Sequence, residues 1–461
     1  MNLDPAQITL VEWGRRFGEL KQSGLPEPSY GGPLERHLLD GDFRLAKLKF
    51  DNSQAALNLW NFLLTEEDRL YADRLVGRKI IGTMKDLGTI PVMAYSLPDV
   101  TAFYPDGTWW APCVMELSSG VLAVADSLGL DESFCPVRAM LGAFVSKAHF
   151  PNPDLLVCSV GATCDDFSAI AQRLNGIGYP ILWWEILHRR KPESGDVPVQ
   201  LPGGFQCTAD QVLFVENELL RVKKAIESLA GVAITNDKLT DGIRAANEVR
   251  AILRELRRMV FTADVCPLPA LEMLVAEMLV IHFCSDRKES VIVLSGLLAE
   301  VRRRILLGRG LFGSDAVRVF WVNPVADLRV MNLLEECGGR ICGTDYLFCH
   351  AFDAIPEDVE PMKALAMMAL ADPMVGSAGD RSQRICNDIK YFGAEAVVIS
   401  RIPGASHCAT EGPIIADTVR EQLGLPVVEI EVPPLADAML PALNTRLTAL
   451  IETVKAGRIQ V

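Results

Sequence analysis

Two distant stretches of the chain follow one plan, and that plan restricts the fold more than any other feature. Leu155-Leu156-Val157-Cys158-Ser159-Val160 is an apolar run that passes into Gly161-Ala162-Thr163-Cys164. Asp165 then opens a helical stretch to Leu174, and Gly178-Tyr179-Pro180 leads into the apolar Ile181-Leu182-Trp183-Trp184. Downstream, Ala396-Val397-Val398-Ile399-Ser400 runs into Arg401-Ile402-Pro403-Gly404-Ala405-Ser406-His407-Cys408. Glu411, a helix expected from Ile414 to Leu423, Gly424-Leu425-Pro426 and Val427-Val428-Glu429-Ile430 complete the second copy. Strand, glycine loop, cysteine, acid, helix, Gly-x-Pro, strand is the βαβ pattern of a parallel sheet. Its recurrence reads as a duplication of whole domains rather than a short-period array. Ligands of open parallel sheets sit at the carboxyl ends of the strands, where both cysteines fall. The expectation is that Cys164 and Cys408, with Cys135, face one another across a cleft.

The rest of the chain divides around these units. Residues 1–80 read as a helical region, with Leu10, Trp13, Phe17 and Leu20 at helical spacing. It either dresses the outside of a core or takes part in an interface. Residues 81–212 form a first α/β domain. In it Ile90–Tyr95 reads as a strand, Cys113–Leu128 as a helix, and Cys135-Pro136-Val137-Arg138 as the opening of another helix. Residues 213–305 form a helical linking block, with Thr240 as candidate N-cap of its second helix. Arg254-Glu255-Leu256-Arg257-Arg258 there reads as a solvated face. Residues 306–461 form a second α/β domain. The predicted fold class is α/β, with two flavodoxin/Rossmann-like parallel-sheet domains joined by the helical block.

Charge narrows the partners. A formal net charge of −14 argues against nucleic acid and anionic membranes, both of which are polyanions. No apolar run approaches the roughly 20 residues that span a bilayer. Met1-Asn2-Leu3-Asp4-Pro5 has neither a basic n-region nor an apolar h-region. The expectation is a cytoplasmic, soluble protein.

In a reducing compartment twelve cysteines are not a disulfide framework. Cys266, Cys284 and Cys337 sit in apolar contexts and read as buried thiols, which behave as small hydrophobes. There is no CxxC pair, so a metal site has to be assembled from distant segments. Three thiolates from separate loops suit an iron–sulfur cluster with one iron left open, and helix N-termini stabilise both thiolates and cluster charge.

Cys135-Pro136-Val137-Arg138-Ala139-Met140-Leu141-Gly142, a Cys-x-x-Arg-x-x-x-Gly run, resembles the first cysteine segment of the 2-hydroxyacyl-CoA dehydratase and benzoyl-CoA reductase family. Thr163-Cys164-Asp165 and His407-Cys408 resemble its second and third cysteine segments. Leu239–Arg250, with its Asn247-x-x-Arg250 core, is similar to a family helix, and Glu335–Asp345 to a family strand segment. The resemblance covers about residue 110 to the end and does not reach the first hundred residues. It implies flavodoxin-like domains, a [4Fe-4S] cluster on Cys135, Cys164 and Cys408, and a related second subunit, identical or different. It also implies an ATP-hydrolysing iron–sulfur activator that supplies one electron at low potential. In the dehydratases that electron makes a ketyl radical of the acyl-CoA thioester and allows water to be eliminated. In the reductases, two electrons reduce an aromatic acyl-CoA ring.

The leading expectation is thus the iron–sulfur subunit of an acyl-CoA dehydratase, a lyase. The alternatives are a benzoyl-CoA reductase-type oxidoreductase subunit and a non-catalytic or double-cubane electron-transfer partner. Cys113, Cys342, Cys349 and Cys386 bear on the last, Cys113 and Cys386 as further metal candidates, with buried thiols as the simpler reading. His407 either donates to cluster or substrate oxygen or is a structural loop residue. Glu411 and Asp165 are general-base candidates if burial raises their pKa, and otherwise complement helix dipoles. His149 and His350 read as surface or cleft residues. Trp183-Trp184 reads as core packing, with a cleft lining as the alternative. No phosphate-binding glycine motif is present, so ATP work falls to a partner.

Overall fold

The strand–helix–strand pattern of the sequence builds two parallel sheets. The computed structural model describes residues 4–25, 32–34, 44–84, 88–109, 118–162, 164–282, 286–434 and 437–459, with backbone alone at 108, 109, 118, 119, 282 and 406–409. The first region holds β1 (Gln7–Thr9), α1 (Leu10–Gln22), β2 (Lys49–Asp51), α2 (Gln54–Leu64) and α3 (Glu66–Leu75). The first sheet region holds β3 (Lys79–Met84), α4 (Ile90–Tyr95), β4 (Val100–Phe103), α5 (Ser118–Ser127), α6 (Ala139–Ser146), β5 (Leu155–Gly161), α7 (Asp165–Gly176) and β6 (Ile181–Ile186). A small ribbon, β7 (Pro198–Gln200) and β8 (Gln206–Thr208), leads to four long helices: α8 (Ala209–Ala230), α9 (Asn236–Thr262), α10 (Ala270–His282) and α11 (Arg287–Leu306). The second sheet region holds β9 (Val317–Val322), α12 (Arg329–Glu336), β10 (Gly339–Asp345), α13 (Pro361–Leu370), α14 (Ala378–Phe392), β11 (Ala396–Arg401), α15 (Ser406–Leu423), β12 (Val427–Glu431) and α16 (Leu440–Ile459).

The sheets run β4-β3-β5-β6 and β10-β9-β11-β12, every neighbouring pair parallel. Counted within each sheet, the order is second, first, third, fourth in both. The repeated plan seen in the sequence is thus repeated topology, and the segments carrying Cys164 and Cys408 follow the third strand of their respective sheets. In this order the chain reverses direction between the first and third strands, the switch point beside which ligands of open sheets bind.

Burial follows the pleat. Along β3, Ile80 and Met84 enter one core and Ile81 another; along β5, Leu156 and Cys158 oppose Val157. The smaller core lies under α5, α6 and α7. The larger runs from the first region through α8–α11 to the second sheet. The first region therefore belongs to the interior, since Trp13, Trp60 and Phe50 are all inside that core.

Four readings are corrected. Ile90–Tyr95 is helix rather than strand: all six residues are buried, and a short apolar run carries no period to distinguish the two, while Pro91 suits a helical first turn. The cap of α9 is Thr235, whose side chain accepts from the Lys238 amide; Thr240 lies inside the helix, bonded back to the Asn236 carbonyl. Arg257 is not solvated but pairs with buried Glu277 and bonds Thr344 at the end of β10. The helix after β11 starts at Ser406, before Pro413, not after it.

Buried arginines brace the two sheet regions. Arg250 on α9 is fully buried, and donates to the Gly88 carbonyl (3.1 Å) beyond β3 and the Asp353 carbonyl (2.9 Å) of the second region. Asn247 one turn earlier exchanges bonds with the Ile355 amide and carbonyl (2.8 and 2.9 Å). Arg189, after β6, donates to the Leu370 carbonyl (2.6 Å) and lies 4.1 Å over Phe205.

An acidic cluster lies under β1 and β2. Asp51 pairs with Arg304 through two bonds of 2.5 and 2.9 Å, all of it buried. Glu272 accepts from the Asp51 amide (3.0 Å) and Trp60 Nε1 (2.9 Å), and Glu335 from the Ala270 amide (2.7 Å) and Gln7 Nε2 (2.6 Å). Desolvation raises the pKa of Glu272, with Asp51 adding to it, and pushes Glu335 up to about 8. A raised carboxyl pKa means that the folded state binds the extra proton. The stabilisation is complete below the ordinary value of 4.5 and is lost as pH rises through about 8. Melting temperature should therefore fall from about pH 4.5 to about pH 8 and level off above that, as far as Glu335 decides it. Glu335→Gln should flatten that fall, as measured by circular dichroism melts across the pH series.

Candidate functional site

Cys135 begins the site. It is half-buried ahead of a 3₁₀ turn at Pro136–Arg138, and among the described residues it alone packs against both hydrophobic cores. Two later residues of its motif fix it. Arg138 is buried, and its guanidinium donates to the Phe134 carbonyl (3.1 Å) and to Asp126 on α5 (3.2 Å). Its backbone amide bonds the Cys135 carbonyl (3.0 Å). Gly142 lies where α6 crosses α5; a Cβ there would fall 1.9 Å from the Val121 carbonyl oxygen. The spacing Cys-x-x-Arg-x-x-x-Gly thus encodes a turn, its brace and a close helix crossing.

Cys164 is the N-cap of α7 and half-buried, its Sγ 3.7 Å from the carboxylate of buried Asp166. The strand before it is held against β6, where the Ala162 amide bonds the Ile186 carbonyl at 2.8 Å. A Cβ on Gly161 would meet that same carbonyl oxygen at 2.3 Å. Asp165 is exposed at the helix start, the setting of a dipole complement rather than of a buried base.

The third segment meets the first directly. Gly404, between β11 and α15, takes φ +78, and a Cβ there would lie 2.4 Å from the Phe134 carbonyl carbon and 2.9 Å from the Cys135 amide nitrogen. The backbone at Gly404 therefore rests on the peptide that Arg138 grips. His407 and Cys408 lie in the first turn of α15, inside the helix rather than ahead of it; their side chains are outside the described residues. Pro413 caused that misreading. It sits inside α15, where proline donates no backbone bond, and the sequence pattern took it for a boundary. Glu411, one turn on, is buried and accepts from Arg381 at 2.7 Å.

The other candidates divide plainly. Cys342, Cys349 and Cys386 are buried, and burial raises all three thiols, Cys342 to about 12. Cys266 is buried and Cys337 half-buried, while Cys113 and Cys284 lie outside the described residues. His350 is a core residue, with Nδ1 3.9 Å from Asp372, contrary to a surface or cleft position. It stands in a short apolar 3₁₀ turn, Cys349–Phe352, that tucks inward. His149 is half-buried. Trp184 is core and Trp183 packs on the smaller core. The contacts of Arg381 carried no periodic signal in the sequence, since Asn323, Asp345 and Glu411 come from three separate segments. Among the described residues no three His, Cys, Asp or Glu side chains group as metal ligands. No helix among them is long and apolar enough to cross a membrane.

Against known proteins, the family described as 2-hydroxyglutaryl-CoA dehydratase, D-component, matches residues 103–454. That span includes Cys135, Cys164 and Cys408. A protein of Escherichia coli (strain K12) named as a dehydratase subunit, YjiM, is 25% identical over 266 residues, covering 55% of this chain and 67% of its own.

The Gly404 contact makes a test. Gly404→Ala meets both left-handed strain and overlap with the 134–135 peptide, and should cost about 2–4 kcal/mol. Gly393 has a similar φ of +66 with nothing near its Cβ position, so Gly393→Ala should lose only about 1–2 kcal/mol. Urea melts of the two variants check the difference.

Proposed function

The chain belongs to the 2-hydroxyglutaryl-CoA dehydratase D-component family, and from that membership we propose that it is the iron–sulfur subunit of a 2-hydroxyacyl-CoA dehydratase. Cys135, Cys164 and Cys408 are the proposed ligands of a [4Fe-4S] cluster. The observation that carries the reading is the backbone contact of Gly404 on the Phe134–Cys135 peptide. It brings the loop before Cys408 onto Cys135, while Cys164 follows the equivalent strand of the other sheet.

The chemistry of the donors fits the group. Soft thiolates suit iron–sulfur clusters. Cys135 and Cys164 keep partial access, unlike the fully buried Cys342, Cys349 and Cys386. Cys164 caps α7 and Cys408 lies in the first turn of α15, where the positive end of the helix dipole favours thiolate and cluster charge. Bound there, the cluster would supply a low-potential electron and an open iron for a substrate oxygen.

The protein's own part is placement. Arg138 fixes the turn that presents Cys135, and Gly161 allows β5 to close on β6 beside Cys164. Net elimination breaks a C–O and a C–H bond of the 2-hydroxyacyl-CoA and releases water. It is redox-neutral, so the electron is returned after each turnover. An ATP-hydrolysing activator would deliver that electron and a related subunit would complete the assembly, because this sequence has no phosphate-binding glycine motif of its own.

Anaerobic purification with iron and sulfide analysis and EPR tests the assignment. Wild-type chain should carry about four iron atoms and a reducible cluster signal. Cys135→Ala, Cys164→Ala and Cys408→Ala should each lose most of both. Full iron in all three variants would show that the ligands lie elsewhere.

A further inference from the structure

The end of the second sheet is tied together by one guanidinium. Arg381 on α14 is fully buried. Its Nε donates to Asp345 Oδ2 at 2.8 Å, its Nη1 to Glu411 Oε2 at 2.7 Å and its Nη2 to Asn323 Oδ1 at 2.7 Å. Asp345 ends β10 and Asn323 follows β9. Asn323 in turn donates from Nδ2 to the Ser400 carbonyl of β11 at 3.0 Å, and its amide bonds the Asp345 carbonyl at 3.0 Å. Arg381 thus joins the carboxyl ends of β9 and β10 to α15, and Asn323 carries the link on to β11.

Asn323 also takes φ +68 while fully buried. An L-residue other than glycine holds that conformation at a cost, and it persists where surrounding bonds over-determine it. Here those bonds are the ones to Arg381, Ser400 and Asp345.

We propose that Arg381 and Glu411 are positioning residues that set the first turn of α15, and with it Cys408, against the strand ends. Glu411 lies three residues beyond Cys408 on the same helix, about one turn along its backbone. The carboxylate considered as a general base is instead committed to a buried cation. Its fixed ion pair anchors the helix one turn from the cysteine. The helix-anchoring part stands on geometry alone; the effect on bound iron rests on the ligand set proposed above.

Two variants separate these parts. Arg381→Met would strand Asp345 and Glu411 as buried carboxylates, and its failure to fold would be uninformative on its own. Glu411→Gln keeps the Arg381–Asp345 pair and an acceptor oxygen, so it should fold with an unchanged far-ultraviolet spectrum. Hydrogen exchange of the full chain, without iron, should then quicken by about tenfold at residues 405–411 in Glu411→Gln, the factor of one charge-assisted hydrogen bond, with Glu411→Asp in between. Wild-type exchange at 405–411 would overturn the positioning role. In iron-loaded chain, removal of iron by a chelator should be several-fold faster in Glu411→Gln, with a shifted EPR signal. Iron loss and signal equal to wild type would overturn the link to Cys408. A wild-type chain that takes up no iron would overturn the ligand set while leaving the exchange result to decide the anchoring.

Discussion

At Gly404 the chain has no Cβ, and the two halves of the molecule meet through that gap. The loop backbone rests on the Phe134–Cys135 peptide at a distance no side chain would permit. Arg138 holds the same peptide from within its own region. The turn bearing Cys135 is therefore defined jointly, by a residue three positions on and by a loop from the opposite end of the sequence. The contact depends on backbone approach alone, so a Cβ at position 404 would push the loop off the turn that bears Cys135.

Around this contact the interior relies on arginine. Arg250 links the loop after β3 to the 353–355 segment, Arg189 reaches from β6 to the end of α13, Arg304 secures β2, and Arg381 gathers the strand ends of the second sheet. A planar guanidinium offers five donors in fixed directions, which suits bonding to carbonyls of several segments at once. Burying these groups is expensive unless they are paired. Carbonyls serve that purpose at the Arg250 and Arg189 junctions, and carboxylates at Asp51, Asp345 and Glu411. The desolvated Arg250 falls to about 10, which still leaves it charged at neutral pH. Under β1 and β2 the balance differs: Asp51 pairs with Arg304, while burial raises the carboxyl pKa of Glu272 and Glu335.

Much of this architecture was legible in the residues. The repeated strand–loop–cysteine–helix–Gly-x-Pro plan led to two parallel sheets, and both have the same strand order. Continuous apolar runs such as Val397–Ile399 read as strands because parallel strands are covered on both faces. The readings failed where the local signal was short or shared by two structures. Ile90–Tyr95 has six apolar residues and no turn of polar contrast, so period could not decide. Pro413 ordinarily marks a helix start, and here it lies within one. Thr235 and Thr240 are equally good caps by residue type, and only the chain path of Gly231–Ile234 selects the first. Arg257 and Arg381 could not be found at all from local pattern. Their partners, Glu277, Thr344, Asp345, Asn323 and Glu411, are brought together only by the completed fold. Arg138 and Gly142 stood out in sequence as parts of the Cys135 motif, whereas the brace from Arg381 to Glu411 did not.

The order in which the chain leaves the ribosome adds a consequence of the Gly404 contact. Domains form vectorially, the amino-terminal one first. The first sheet, with Cys135 and Cys164, can assemble while most of the chain is still being made. Arg381, Gly404 and the helix of Cys408 emerge more than two hundred residues after Cys164. Until then the Phe134–Cys135 peptide lacks its opposing surface. A chain at that stage would offer Cys135 and Cys164 in an unfinished cradle, and the proposed cluster site would be complete only once Cys408 had joined them. In the proposed assignment, iron uptake would then report that the two sheet regions have joined.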